Sequence, residues 1–395
     1  MHTPGESSVS GRPTWAEIDL GALAGNYRTL DALLCPADGE RQRPRLIPVI
    51  KANAYGHGAV EVARSLVGAG ASAFAVAISE EGVLLREAGI SAEIIVLEGV
   101  WPGQETQAIA HGLTPTLYSP RAVHSMEQAA AERAMQVAVH VKIDTGMNRL
   151  GAPWNALGPL LEALRSASHL RVTGTFTHLA CAEEDDQTFT REQTARFLKA
   201  LAAIREAGID PGEIHAANSA GLLCGQGLRA WSARPGIALY GYPPAQGGRP
   251  EGFEPVLSLK TRIGHLHTVE TGESVGYNRR FTASRRMRAA TLPVGYADGF
   301  RRALSGKSKV IVRDCWAEVL GTISMDMAVV DVTDIPGAQE GDEVILLGSS
   351  SSCRLDAEVW ADLLGTIPYE VLCGISLRVP RCYGKSRSKA ACSRR

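Results

Sequence analysis

At 395 residues the chain exceeds what one hydrophobic core usually organises, which implies two domains. Hydrophobic residues make up 45% of it and charged residues 21%, the balance of a globular protein. With 41 Lys plus Arg against 42 Asp plus Glu, a global field drawing it to nucleic acid or anionic lipid is excluded, and no apolar run approaches the ~20 residues that cross a bilayer.

In chain order, 1–12 is polar and rich in Gly, Ser and Pro, without the apolar core of a signal peptide, so a cytoplasmic protein is expected. Residues 1–19 read as a segment leading into the fold. Short apolar runs follow at 46–51, 73–78, 93–97, 114–117, 136–143, 172–177, 213–216 and 236–240. Between them, 59–66, 80–88, 154–167 and 191–206 repeat apolar residues at three and four, the helical period. Several of these close on glycine, as a helix C-cap does, at Gly68 and Gly208. Eight strand signals alternating with helices or loops predict an α/β fold, a closed (β/α)8 TIM-type barrel over 20–242. An open doubly wound sheet is the alternative by the same pattern.

The stretch 243–255 is rich in Gly and Pro and reads as a linker. Beyond it, 256–263, 287–293, 308–312, 317–320, 327–332 and 343–347 are β-rich runs with short turns, and 356–364 is helical. This predicts a mainly β C-terminal domain over 256–382. The remainder, 383–395, carries Lys385, Arg387, Lys389, Arg394 and Arg395 without an acid and reads as a solvated, disordered tail. The eight cysteines contain no CxxC pair, so neither a metal site nor a disulfide framework is expected.

The sharpest local feature is the run 46–50 ending in Lys51, followed by Ala52-Asn53-Ala54-Tyr55-Gly56-His57-Gly58. In a parallel barrel the C-terminal strand ends form the active face, and partial enclosure lowers an ammonium pKa as an imine-forming lysine requires. The bland alternative is a surface lysine ending a strand. At another strand end, Lys142 to Gly151 includes Arg149, a rigid fork suited to a carboxylate or phenolate or simply to a surface ion pair. His178 ends another strand, where structural histidines are common. Ser219 in Asn218-Ser219-Ala220-Gly221, and Arg234-Pro235-Gly236-Ile237 one unit later, offer a hydroxyl and amides where barrels often hold phosphate. An ordinary N-cap explains the first equally well. In the β domain, Tyr277, Tyr296 and Met325 sit in turn-like insertions among small residues, where hairpin aromatics are usual.

The segments 49–58, 142–151, 218–221, 234–241, 293–299, 324–327 and 366–381, with the opening 12–19, resemble the alanine racemase family in the same order over nearly the whole chain. The resemblance implies a barrel followed by a β domain, and a homodimer sharing its active sites. It implies a pyridoxal 5'-phosphate Schiff base on Lys51 and interconversion of L- and D-alanine, supplying D-alanine for peptidoglycan. Lys51 and Tyr277, the latter from the other subunit, would be the bases on opposite faces of Cα. Tyr55, Ser219, Gly236, Ile237 and Tyr369 would hold the phosphate. Arg234 would hydrogen-bond the pyridine nitrogen, with His178 linking it to the tyrosine. Arg149 would contact the phenolate and the substrate carboxylate, and the Met325 amide would also meet that carboxylate. Lys142 matches a position often carbamylated in the family. Tyr296, Arg302 and Tyr369 would line the entry.

Two residues depart from the family pattern: Asn278 where glycine is common, and Ser324 where cysteine is frequent. Asn tolerates a positive φ, so the first leaves its loop intact. The other readings are a racemase of serine or broader specificity, a related barrel decarboxylase, and a non-catalytic cofactor carrier. A decarboxylase would lack the Tyr277 and Met325 pattern, and a carrier would stop after the barrel.

Overall fold

The computed structural model describes residues 11–35, 43–224, 228–244 and 250–384. The start of the N-terminal segment, the middle of the linker at 245–249 and the basic tail from 385 lie outside the described residues. The chain divides into two compact units, one of Ala22–Ala54 and Gly58–Glu254, the other of Met1–Gly21, Tyr55–His57 and Pro255–Arg395.

In the first unit seven strands lie in parallel succession: Ala73–Val76, Glu93–Val96, Thr114–Leu117, Val137–Asp144, Leu170–Phe176, Glu213–Ala217 and Ser232–Ala233. The extended run 46–50 closes the ring. It bridges Ala233 on one side and Ala75 on the other, both in parallel, with Ile47 N donating to Ala233 O at 2.8 Å and Ile50 N to Ala75 O at 2.9 Å. The expected eight-stranded barrel is the fold. Its short strands are buried along their length, as Ala73–Val76 and Thr114–Leu117 are, so they read as continuous apolar runs without alternation.

Helices on the outside return the chain. Ser119 caps the helix Pro120–Ala131 by accepting from Ala122 N at 3.2 Å, with Pro120 at the first helical position, where its fixed φ fits and no amide is missed. The helix expected over 154–167 starts later, at Gly158 with Pro159 next, because Ala152–Pro153 still pairs with the strand Val137–Asp144. The run 236–240 is not a strand. The eighth strand is Ser232–Ala233, and Ile237–Tyr240 is a 3-10 turn closed by Gly241 at φ 89°. All four turn residues are buried, and a short buried apolar run looks alike in either conformation.

In the second unit the sheet runs His265–Val269, Met287–Leu292, Ala328–Asp331, Cys315–Leu320, Lys309–Val312, Glu343–Ser349, Leu257–Arg262, Thr14–Asp19 and Arg381–Gly384. The segment read as a lead-in therefore supplies an internal strand, Thr14–Asp19, antiparallel to Leu257–Arg262 and parallel to Arg381–Gly384. A hairpin of Ser274–Val275 and Phe281–Thr282 carries the Tyr277 turn. Trp360, on the helix Ala357–Leu364, is fully buried and stacks on Phe300 at 5.2 Å.

Thr14 ties the N-terminal strand down. Its hydroxyl lies 2.9 Å from that of Thr261 and donates to Pro293 O at 2.7 Å, wholly out of water. Thr14→Val keeps the shape and strands these partners, so it is expected to cost about 1–3 kcal/mol. The check is a lower denaturant midpoint with an unchanged slope.

Candidate active site

The run 46–50 delivers Lys51 to the C-terminal end of the barrel, and the next four residues turn in the left-handed region: Ala52, Asn53, Ala54 and Tyr55 have φ of 52, 53, 55 and 52°. Each such non-glycine residue costs roughly 1–2 kcal/mol, so the turn persists only because its surroundings fix it. Ala54 N donates to Ile50 O at 2.9 Å, and Ala52 N donates to Glu81 Oε1 at 2.6 Å. Asn53 Oδ1 accepts from Ala59 N, which starts the next helix. The strand thus stops at the lysine rather than continuing past it.

Lys142 lies on the strand Val137–Asp144 and is buried, its Nζ 5.6 Å from the centre of the Phe176 ring. Burial first, then the Arg234 and Arg149 charges, draw its pKa down to about 8. Asp144 shapes the following loop by accepting from Gly146 N at 2.8 Å and Asn148 N at 3.2 Å, and Asn148 adopts φ 54° just before Arg149. Arg149 itself is exposed.

Arg234 is buried to 3% exposure at the end of the eighth strand. Its NH1 donates to His215 O at 2.8 Å, and its NH2 donates to Thr177 O at 2.6 Å and Ala216 O at 3.3 Å. Its guanidinium covers the Phe176 ring at 4.8 Å. Burial pulls its pKa down to about 9, still cationic at neutral pH. His178 Nδ1 stands 3.5 Å from Arg234 NH2, the limit of a hydrogen bond. An arginine only donates, so that nitrogen is the acceptor and Nε2 carries the proton. Burial and then the charges of Arg234, Arg149, Lys142 and Lys51 hold the His178 pKa well below its ordinary value, so the ring is neutral.

Ser219 is buried, and its Oγ accepts from Gly236 N at 3.0 Å and Ala238 N at 3.3 Å. This clamps the start of Ser219–Cys224 to the turn that holds Ile237. Gln193 was not read from the sequence. Fully buried on the helix Thr188–Glu206, it donates to Thr145 Oγ1 and His178 O, both at 3.1 Å, and accepts from Ala180 N. It joins the loop that follows the Lys142 strand to the one that carries His178. Nothing in a helical period marks one glutamine for such a place.

Within the second unit, Tyr55 packs on Tyr369 with ring centres 5.8 Å apart. Tyr277 is 67% exposed at the hairpin tip, and Gly276, Asn278 and Arg279 all have positive φ, with Asn278 at 62°. Ser324 closes its own turn: its Oγ accepts from Met327 N at 3.0 Å and donates to Met327 O at 2.8 Å. Tyr296 and Met325 lie on adjoining loops, joined by Tyr296 N to Ser324 O and Ala297 N to Met325 O, both 3.0 Å. Gly295 permits that approach, since a Cβ there would fall 2.4 Å from the Met325 carbonyl. Arg302 is exposed on a nearby 3-10 turn.

Asp298, another residue that sequence reading missed, locks these loops. Fully buried, it accepts from Arg12 NH1 at 2.8 Å, Arg378 Nε at 2.6 Å and Gly295 N at 2.9 Å, and Arg378 continues to Asp326. Two arginines from distant parts of the sequence thus meet on one carboxylate.

A cavity of about 790 Å³ opens at the other end of the barrel, lined by Arg45, Glu93, Glu213, Trp231 and Ser232. It is remote from the Lys51 end, and its size alone does not make it the reaction site.

The alanine racemase N-terminal domain model matches residues 18–244 and the C-terminal domain model residues 256–383. The chain belongs to the alanine racemase family. A relative named alanine racemase from Symbiobacterium thermophilum is 43% identical over 94% of this chain and 97% of its own. The alanine racemase structure from Clostridium difficile 630 is 35% identical with a TM-score of 0.89, covering 96% of this chain and 97% of that one. An alanine racemase structure from Bartonella henselae, described with covalently bound pyridoxal phosphate, is 30% identical with a TM-score of 0.83 over 95% of this chain and 100% of that one. The chain is accordingly a pyridoxal-phosphate-dependent isomerase that interconverts the alanine enantiomers. Its described helices include none long and apolar enough to cross a membrane.

Two tests follow from this geometry. The folded pKa of Lys142 lies near 8 and the unfolded value near 10.5, so between them the unfolded chain binds the extra proton and stability rises with pH. Without carbon dioxide, the Lys142→Met difference curve should show that rise lost, at no more than about 1.4 kcal/mol per pH unit. For Asp298 burial pushes the pKa up, but hydrogen bonds from Arg12 and Arg378 outweigh it, so the net is down. Its contribution is present above about pH 4 and fades as pH falls through the folded value. Asp298→Asn should cost about 3–5 kcal/mol at pH 7 and flatten the acid limb of unfolding.

Proposed function

We propose that Lys51 carries the pyridoxal phosphate and serves one face of the alanine Cα, while Tyr277 of a second copy serves the other. The observation carrying this reading is the gathering of Lys51, Lys142, Arg149 and Arg234 around a neutral His178, a set of cations suited to a phosphorylated, phenolate-bearing group and a substrate carboxylate. When bound, the cofactor supplies the electron sink that makes the Cα–H acidic.

Lys51 and Tyr277 then divide the labour, each taking a proton in one direction and returning it in the other. A phenol of pKa ~10 needs positive surroundings to act near neutrality, which the Arg234–His178 link supplies. Arg234 would meet the pyridine nitrogen as a donor that does not give up its proton, which would keep the sink modest and suppress side reactions such as transamination. Ser219, the amides of Gly236 and Ile237, and the hydroxyls of Tyr55 and Tyr369 would hold the phosphate. Arg149 and the Met325 amide orient the substrate carboxylate, and Tyr296, Arg302 and Tyr369 restrict entry to small side chains.

The lowered Lys142 pKa raises the share of its neutral amine, the form that adds to carbon dioxide to give a carbamate and a proton. That anion orients Arg149 and offsets part of the cation cluster. The exposure of Tyr277, Tyr296 and Met325 supports a homodimer in which these side chains are covered by the second copy. The reading extends to a cytoplasmic enzyme supplying D-alanine for the cell wall.

The test is Tyr277→Phe assayed in deuterium oxide. Racemisation should fall by about 10²–10⁴-fold while α-hydrogen exchange survives for one enantiomer, served by Lys51 alone. Unchanged racemisation would sink the two-base assignment.

A further inference from the structure

Inside the barrel two histidines lie beyond the groups used above. His215 and His140 are fully buried, with His215 Nε2 3.0 Å from His140 Nδ1 and His215 Nδ1 2.8 Å from Arg234 NH1. The His140 Nε2 stands 3.6 Å from Glu93 Oε1 and has no hydrogen-bond partner. Glu93 in turn pairs with Arg45 and accepts from Thr114 Oγ1 at 3.2 Å. A file of polar groups therefore runs from Glu93 at the far end of the barrel to Arg234, hydrogen-bonded from His140 to the arginine and open by 3.6 Å between His140 and Glu93.

The protons in this file have one arrangement. Arg234 can only donate, so His215 Nδ1 bears the lone pair. Burial and the neighbouring Arg234 charge keep His215 neutral, which puts its proton on Nε2, directed at His140. His140 Nδ1 must then accept. Burial draws the His140 pKa down to about 4, so it is neutral too, and its one proton sits on Nε2, aimed at the Glu93 carboxylate.

The packing maintains this order. Phe176 stacks on His215 with ring centres 4.7 Å apart, and the same ring lies under Arg234. Gly174 leaves space for His140, since a Cβ there would fall 2.6 Å from its ring.

We infer that His215 and His140 form a one-way imidazole relay that positions Arg234, with its orientation fixed by the guanidinium at one end and the Glu93 carboxylate at the other. Both imidazoles present a lone pair towards the arginine and an N–H towards the acid. Their dipoles add along the barrel and offset the cost of burying the guanidinium. The relay aims the arginine and keeps its charge without contacting the substrate. Its catalytic consequence rests on the proposed contact of Arg234 with the pyridine nitrogen, whereas its proton arrangement does not.

The experiment uses the full chain labelled with ¹⁵N-histidine, with and without cofactor, together with His215→Phe, His215→Asn and Glu93→Gln. Nitrogen spectra should give His140 and His215 as neutral rings protonated at Nε2, without titration between pH 6 and 9. His215→Phe retains the stacking ring but removes the acceptor, and kcat should fall about 10–100-fold, the usual range for partners that orient a contacting group, with KM changed less than about threefold. His215→Asn restores an oxygen near the Nδ1 position and should recover most of kcat, which a purely space-filling role would not predict. Glu93→Gln should lower kcat by a smaller factor and weaken the Nε2–H signal of His140.

A proton on His215 Nδ1, a cationic ring, or equal kcat losses in the Phe and Asn variants would overturn the relay. Should His215→Phe fail to fold, the spectra and Glu93→Gln still decide. Arg234→Leu separates the two readings through the visible band of the loaded enzyme. If that band is unaltered, the assignment of Arg234 to the pyridine fails. If it shifts while His215→Phe leaves kcat intact, the relay alone fails.

Discussion

Positive charge concentrated at the mouth of a closed parallel barrel is the constraint on which the remaining site geometry depends. Lys51, Lys142, Arg149 and Arg234 all act on His178, and Arg234 is inside the protein rather than on it. A buried guanidinium persists only where its donors are satisfied. Here strand-end carbonyls at Thr177, His215 and Ala216 supply acceptors that a side chain at one position could not. The barrel is therefore part of the chemistry. Parallel strands ending at one rim turn their terminal carbonyls and side chains to the same place.

Strain and polar locks hold the parts that regular structure does not. The left-handed turn after Lys51 ends a strand abruptly at a reactive amine, and Glu81, Asn53 and Ile50 fix it by hydrogen bonds. In the second unit Asp298 does comparable work with arginines, and Ser324 stitches its own turn. Its hydroxyl both donates and accepts across four residues, as a thiol does only weakly.

The barrel was legible because buried parallel strands are apolar throughout and the helices between them keep a period near 3.6. The same rule misplaced the eighth strand. Ile237–Tyr240 is as apolar as a strand but coils beside the short Ser232–Ala233. The Tyr277 and Met325 turns were visible as small-residue insertions, and Asn278 takes the positive φ that its chemistry allows. Gln193, His215, His140 and Asp298 were not legible. Each is one polar residue in an otherwise ordinary pattern, and its meaning lies in partners dozens to hundreds of positions away.

By itself the sequence determined what is local or repeated: the alternation of strand and helix, the lysine that ends the first strand, and the ordered motifs that mark the family. Only the tertiary structure decided that Thr14–Asp19 belongs inside the second unit's sheet, that Arg234 is buried over Phe176, and that two buried imidazoles lie between it and Glu93. Periodicity reports which face of an element is apolar. Hydrogen bonds between distant residues, and the burial that shifts their protons, arise only when the chain has closed on itself.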